Sequence, residues 1–395
     1  MSRAACGYRR PFGGAFGRAF GGPPRRSKPA AILTTLLLAA LAQTGCRAGD
    51  EAPSVPTSMS ALAYYSQSII GHIDLMQRAR PVADWLADPA TPPALRERLQ
   101  LAQRLRDFAV QSLALPDNAS YRRYADLQRP AAVWNVVAAP ELSLTLKTWC
   151  YPLLGCVGYR GYFKRDNAEA AAAVQRAAGL DATVYGVPAY STLGWTNWLG
   201  GDPLLNTFVQ GSEAGLARLV FHELAHQVVY APGDTMFNES YATAVERLGL
   251  AQWRASGQPL AEDAAAVQRL ADFRAIARRT RAALSALYGS SAEVLSEAQQ
   301  RQHKAELLAA MRAEFAVLKA SESGPWAGFT GYDDWLARAN NASLALQAAY
   351  DGLVPDFELL FEREGRDFRR FHAAVQRLAD LPTAERRATL QARPS

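Results

Sequence analysis

The chain has 395 residues, 49% apolar and 20% charged, enough to bury a large core and too ordinary for a disordered or fibrous protein. A formal charge of +6 would suit a nucleic-acid binder, but its distribution excludes that partner. Seven of the 43 Lys and Arg residues stand before Cys46, where no Asp or Glu occurs, so from Cys46 onward 36 basic residues face 37 acidic ones.

Residues 1–45 read as a targeting segment. A basic, Gly- and Pro-rich stretch leads into AAILTTLLLAALA (Ala30–Ala42), an apolar run of 13 residues that suits a secretory signal and is too short to span a bilayer as a helix. Behind it, QTGC ends in Cys46. The arrangement resembles a bacterial lipoprotein signal, although Gln43 stands where that motif prefers an aliphatic residue. The resemblance implies a lipid on Cys46, anchorage to a membrane and export to the periplasmic side. Arg47 after the cysteine, in place of Asp, favours the outer membrane; a plain cleavable signal is the alternative. Residues 46–59 read as a polar tether rich in Pro and Ser. Cys150 and Cys156, bracketing YPLLG, remain as a pair, and an oxidising compartment predicts a disulfide between them.

Residues 60–395 read as the functional domain, α+β with helix predominating. Its first part, 60–129, is helical: SALAYYSQSIIGHIDLMQR has an apolar stripe, and PPALRERLQLAQRLRDF opens on prolines, as helices do. In 130–211 the runs AAVWNVVAAPELSLTLKTW, VGYRGYF and DATVYGVPAYSTLGW are β-branched and aromatic, broken by Gly and Pro, and predict a small central sheet. Residues 212–251 carry the histidines, and 252–395 form a helical C-terminal part.

The segment FHELAHQVVYAPGDTMFNESYATAVE (residues 221–246) holds two of the five histidines. His222 and His226 are four apart, so on a helix both rings leave the same face and can reach one zinc ion. Glu223 lies about 100° round that helix, placed to take a proton from a water that zinc has acidified. A third ligand is needed. The +3 and +6 positions after His226 are Val229 and Pro232, which excludes the metzincin continuation, and His72, His303 and His372 are remote in sequence. APGD instead turns the chain into a second helix near Thr235. An antiparallel return would bring Glu239 to the histidines and leave the small Ala242 at the helix contact.

This pairing resembles the His-Glu-x-x-His and Asn-Glu-x-x-Ala pattern of gluzincin metallopeptidases, with Asn238 to Ala242 as the second half and a short link of 12 residues. Together with WCYPLLGCVGYRGYF, YGVPAYSTLGW…DPLLNTF and NNASLALQAAYDGLVPDFELLF, it makes residues from about Leu62 to Leu378 similar to a bacterial family of predicted aminopeptidases, often lipoproteins. TNWLGG, between Trp195 and Asp202, is longer than that family's link. The resemblance implies a zincin-like core, one zinc per chain on His222, His226 and Glu239, Glu223 as catalytic base, and peptides as substrates. An endopeptidase or cell-wall peptide amidase with the same zinc site, or a silent envelope scaffold, are the alternatives.

Other positions follow from roles such a site requires. Thr243 or Glu246, one and two turns after Glu239, could orient a ligating imidazole. Ser191, Thr192, Leu193, Gly194 and Trp195 read as an edge strand for the substrate backbone. Tyr350 is the expected oxyanion donor, with His372 as runner-up. Asp202 and Glu213 are the nearby acids that could hold a substrate amine.

Overall fold

The computed structural model describes residues 60–392 except 152–154, 193–199, 259, 262 and 290–294, and at 348–351 the backbone alone. The leader, Cys46 and the tether therefore lie outside the described residues. Those described belong to one compact unit, Pro53–Ser395. None of their helices is long and apolar enough to cross a membrane.

Ser60 opens α1 (Ala61–Arg78) by accepting the Ala63 N–H at 3.2 Å. The two-residue β1 (Arg80–Pro81) and the short α2 (Val82–Ala87) lead to α3 (Pro93–Leu113), where proline's missing N–H is no loss in a first turn. The middle of the chain is built from β2 (Arg123–Ala125), β3 (Val133–Pro140), β4 (Trp149–Tyr151), β5 (Gly155–Val157), β6 (Arg160–Tyr162), α4 (Arg165–Ala177), β7 (Leu180–Val187) and β8 (Leu204–Leu205). Helices then follow one another: α5 (Asn206–Val209), α6 (Glu213–His226), α7 (Thr235–Ala255), α8 (Ala264–Tyr288), α9 (Glu297–Lys319), α10 (Asp333–Arg338), α11 (Asn341–Asp351), α12 (Val354–Arg363), α13 (Phe368–Ala379) and α14 (Thr383–Gln391). The fold is α+β with helix predominating.

The main sheet runs β6-β3-β7, antiparallel throughout, from Val133 opposite Val187 to Pro140 opposite Leu180. Side chains of β3 alternate between two helices, as the pleat requires. Val136 and Ala138 pack with Ala168 and Ala172 of α4, while Val137 and Ala139 pack with Ala342 and Leu346 of α11. A second sheet joins β1, β2 and β8, and β4 pairs with β5 so that Cys150 faces Cys156, to which it is disulfide-bonded. The largest core gathers α3, α6, α7, α12 and α13 around Leu105, Phe221, Phe237, Tyr241, Phe357 and Phe371. A separate cluster with Phe273, Phe315 and Trp326 joins α8 to α9.

Two runs that read as strand are strand only in part. Strand β3 stops at Pro140, and the Glu141 carbonyl beyond it is taken by Lys304 Nζ at 2.9 Å and Asn341 Nδ2 at 2.7 Å, not by a ladder. Strand β7 stops at Val187, because Pro188 offers no N–H, so Ser191 and Thr192 lie outside any strand.

The C-terminal helix closes onto the start of α7. Asp234 caps α7 by accepting the Phe237 N–H, and Arg386 reaches its carboxylate at 2.8 Å from 152 residues away. Both partners are almost wholly buried, and Arg386 also donates to the carbonyls of Leu378, Ala379 and Leu381. Removing one member of a buried pair strands the other's charge. Arg386→Met is expected to lower the free energy of unfolding by about 3 kcal/mol in urea titrations; a change below about 0.5 kcal/mol would mean that Arg387, 3.2 Å from Asp234, carries the contact alone.

Candidate metal centre

Helix α6 starts at Ser212, whose hydroxyl accepts the Gly215 N–H at 3.0 Å. Its apolar face, with Ala217, Val220, Phe221 and Leu224, is buried in the main core, and the same helix carries His222, Glu223 and His226. Past His226 the chain reverses. The Asn238 side chain closes the turn from both sides, accepting the Ala231 N–H at 2.8 Å and donating to its carbonyl at 2.9 Å. Gly233 takes a φ of +80°. Helix α7 then returns along α6, and Gly249 allows the approach: a Cβ there would meet the Phe221 ring at 2.9 Å and Leu113 at 2.7 Å. Ala242 is fully buried.

This return places Glu239 against the histidines. Glu239 Oε2 is 3.2 Å from His222 Nε2 and 3.7 Å from His226 Nε2, and the two ring nitrogens are 3.2 Å apart. One ligating atom from each of the three lies within 4.8 Å of the others, the one cluster of this kind among the described residues. On the far side of the ring, His222 Nδ1 is 3.2 Å from Glu246 Oε2. Thr243 is buried in α7, but neither histidine ring is paired with it. His226 Nδ1 is buried with no hydrogen-bond partner among the described residues.

The electrostatics favour positive charge in this pocket. Burial works against a charged His222, yet its hydrogen bonds to Glu239 and Glu246 prevail and hold the imidazole well above its ordinary range. Burial also opposes charge on Glu239, but His226 and His222 outweigh it and hold the carboxyl far below the carboxylate range. Glu223 is half-buried, and its charge acts on Tyr121, Tyr159 and Asp202.

The remaining predicted positions scatter. Leu193, Gly194 and Trp195 lie outside the described residues, as does the Tyr350 side chain; the Tyr350 backbone is part of α11. Ser191 and Thr192 are tied to Asp202, whose own carboxylate is fully buried. Glu213 caps another contact, accepting the Ala261 N–H at 2.7 Å with Arg98 3.5 Å away. His372 is a packing residue, buried among Phe368, Phe371 and Tyr241. Its Nε2–H donates to the Leu113 carbonyl at 2.8 Å, leaving Nδ1 to accept the Tyr241 hydroxyl at 2.8 Å.

Three tyrosines that the sequence reading passed over stand near the cluster. Burial first, and then the charge of Glu239, raises the phenols of Tyr159, Tyr185 and Tyr230, and Glu223 acts on Tyr159 as well. Tyr159 sits in VGYRGYF, one of the segments that carried the family resemblance; nothing in its spacing points at the histidines.

Two helices present His, His and Glu to one point, with a further Glu beside them, and the three are a group that could hold a metal ion. The chain belongs to a protein family described as "Putative aminopeptidase", whose profile matches residues 63–390. No curated protein and no solved structure matches it.

The account of His372 can be checked by pH. Burial, partly offset by the Leu113 carbonyl, lowers its pKa in the fold. Below the ordinary histidine value of about 6.5 the unfolded chain takes up a proton that the folded chain refuses, so stability falls as the pH drops. Between pH 7 and pH 5, unfolding titrations of His372→Gln are expected to show a shallower loss of stability than the wild type; equal slopes would contradict the assignment.

Proposed function

We propose that the chain is a zinc-dependent peptidase of the gluzincin kind, acting as an aminopeptidase in the cell envelope. The observation that carries the reading is the convergence of His222 Nε2, His226 Nε2 and Glu239 Oε2, within 4.8 Å of one another, in a family described as aminopeptidases. Two imidazoles and one carboxylate are a donor set that catalytic zinc sites use. The fit extends outward, since a ligating imidazole normally gives its other N–H to a carboxylate, and Glu246 stands at His222 Nδ1. A histidine helix followed by an antiparallel helix with the third ligand also supports a zincin-like core.

Bound there, zinc would supply Lewis acidity to the scissile carbonyl and to the attacking water. The chain's own groups do the rest. Glu223 takes the proton of the attacking water and passes it to the departing amine. Tyr159 donates its hydroxyl proton in a hydrogen bond to the oxygen on which charge develops; burial keeps that phenol protonated. Glu246 fixes which nitrogen of His222 faces the cluster, and the peptide lies on the side of Ser191 and Thr192. The leader supplies the location, with a lipid on Cys46 holding the domain at the outer membrane.

Alanyl p-nitroanilide and its N-acetylated form test this reading. The free amine form is expected to be cleaved and the blocked one at least tenfold more slowly; equal rates would remove the exopeptidase claim. Glu223→Gln is expected to keep its zinc and lose about 10³-fold in kcat, and Tyr159→Phe about 10²-fold with KM little changed.

A further inference from the structure

Asp202 lies 20 residues before His222, and no role so far described uses it. The residue is fully buried. Its carboxylate accepts the Thr192 N–H at 3.1 Å and the Thr192 hydroxyl at 2.8 Å, with the Ser191 hydroxyl at 3.4 Å. Its backbone faces the other way: Asp202 N–H donates to Ser120 Oγ at 3.1 Å, and its carbonyl accepts the Tyr121 N–H at 2.6 Å. Ser120 Oγ also accepts from Gln227 Nε2 at 3.2 Å, and Gln227 is the residue after His226. Asn118 Nδ2 holds the other end of the same amide at 2.8 Å.

The junction is tight enough to strain the chain. Gly201 has a φ of +66°, and a Cβ there would lie 2.4 Å from the Ser120 nitrogen. Tyr121 takes a φ of +62° without being glycine, a conformation that persists only where neighbours impose it and that gathers at functional sites. Arg106, wholly buried, braces the segment by donating to the carbonyls of Ser120 and Asn118. The Tyr121 hydroxyl is buried with no partner among the described residues and lies in the field of Glu223 and then of Asp202.

We infer that Asp202 is a positioning residue of the catalytic centre: one buried side chain and its backbone join Ser191 and Thr192 to the end of the histidine helix through Ser120 and Gln227, and so fix the wall beside Glu223. The direction of its carboxylate sets aside the alternative that it binds a substrate amine, because its oxygens are already engaged and shielded from solvent. The inference rests on the peptidase reading for its catalytic meaning, and on hydrogen bonds alone for the bridge.

Asp202→Asn tests it with little change of shape. An amide has one acceptor oxygen where the carboxylate has two, and its NH2 would confront the donors of Thr192. The variant is expected to raise KM for alanyl p-nitroanilide by tenfold or more, to leave kcat within threefold, and to keep the wild-type zinc content. Thr192→Val, which retains the N–H and loses the hydroxyl, is expected to give a smaller rise in KM, and the double variant no more than Asp202→Asn alone. Hydrogen exchange on the same proteins is expected to quicken together at the Thr192 and Gln227 amides in Asp202→Asn. An unchanged KM, a lost zinc, or faster exchange confined to Thr192 would overturn the inference. A wild type that binds zinc but cleaves neither anilide would defeat the peptidase reading, and the exchange at Gln227 would still decide whether the bridge exists.

Discussion

The structure depends on bringing one carboxylate, that of Glu239, into a buried pocket against two imidazoles. Leaving a carboxylate there unpaired would be costly, so the helices that carry it and the histidines must be held in register. Three devices do so. Asn238 closes the reversal on Ala231, Gly249 lets α7 lie on Phe221, and Asp234 fixes the first turn of α7 with its own charge met by Arg386. None of the three pairs with the Glu239 carboxylate.

The rest of the molecule serves as a frame for that helix pair. The main core presses α6 and α7 against α3, α12 and α13, while the β6-β3-β7 sheet, backed by α4 and α11, brings Tyr159 and Tyr185 towards Glu239. Tyr121, in the strained junction with Gly201, feels the charge of Glu223. The site lies between a helical core and a small sheet: its charged groups come from the helices, Tyr185 from β7 and Tyr159 from the residue before β6.

How much of this was legible beforehand follows from distance along the chain. His222, Glu223 and His226 lie within five residues, where helix geometry alone fixes their directions. Glu239 could be reached because only a short turn intervenes, and Glu246 because it repeats on the face of Glu239 two turns on. Tyr159 and Tyr121 could not, and Asp202 only as a nearby acid of unknown direction, since packing between distant segments decides where they point and no periodicity records it. The same holds for Arg386, whose partner is 152 residues away. Of the strand expected over Ser191 to Trp195, the described residues Ser191 and Thr192 are not strand for a local reason: the composition suited one, but Pro188 ends the ladder and the Asp202 carboxylate takes the Thr192 N–H that an edge would present. Helix predominance was readable throughout, because amphipathic repeats span whole helices such as α8 and α9.

The central claim is that Glu239 completes a zinc site begun by His222 and His226. Metal analysis of the purified chain and of Glu239→Gln, after dialysis against metal-free buffer, tests it most directly. The account predicts close to one zinc per wild-type chain and little or none in the variant, with both proteins folded by circular dichroism. A variant that keeps its zinc, or a folded wild type that fails to take up zinc when it is supplied, would contradict it.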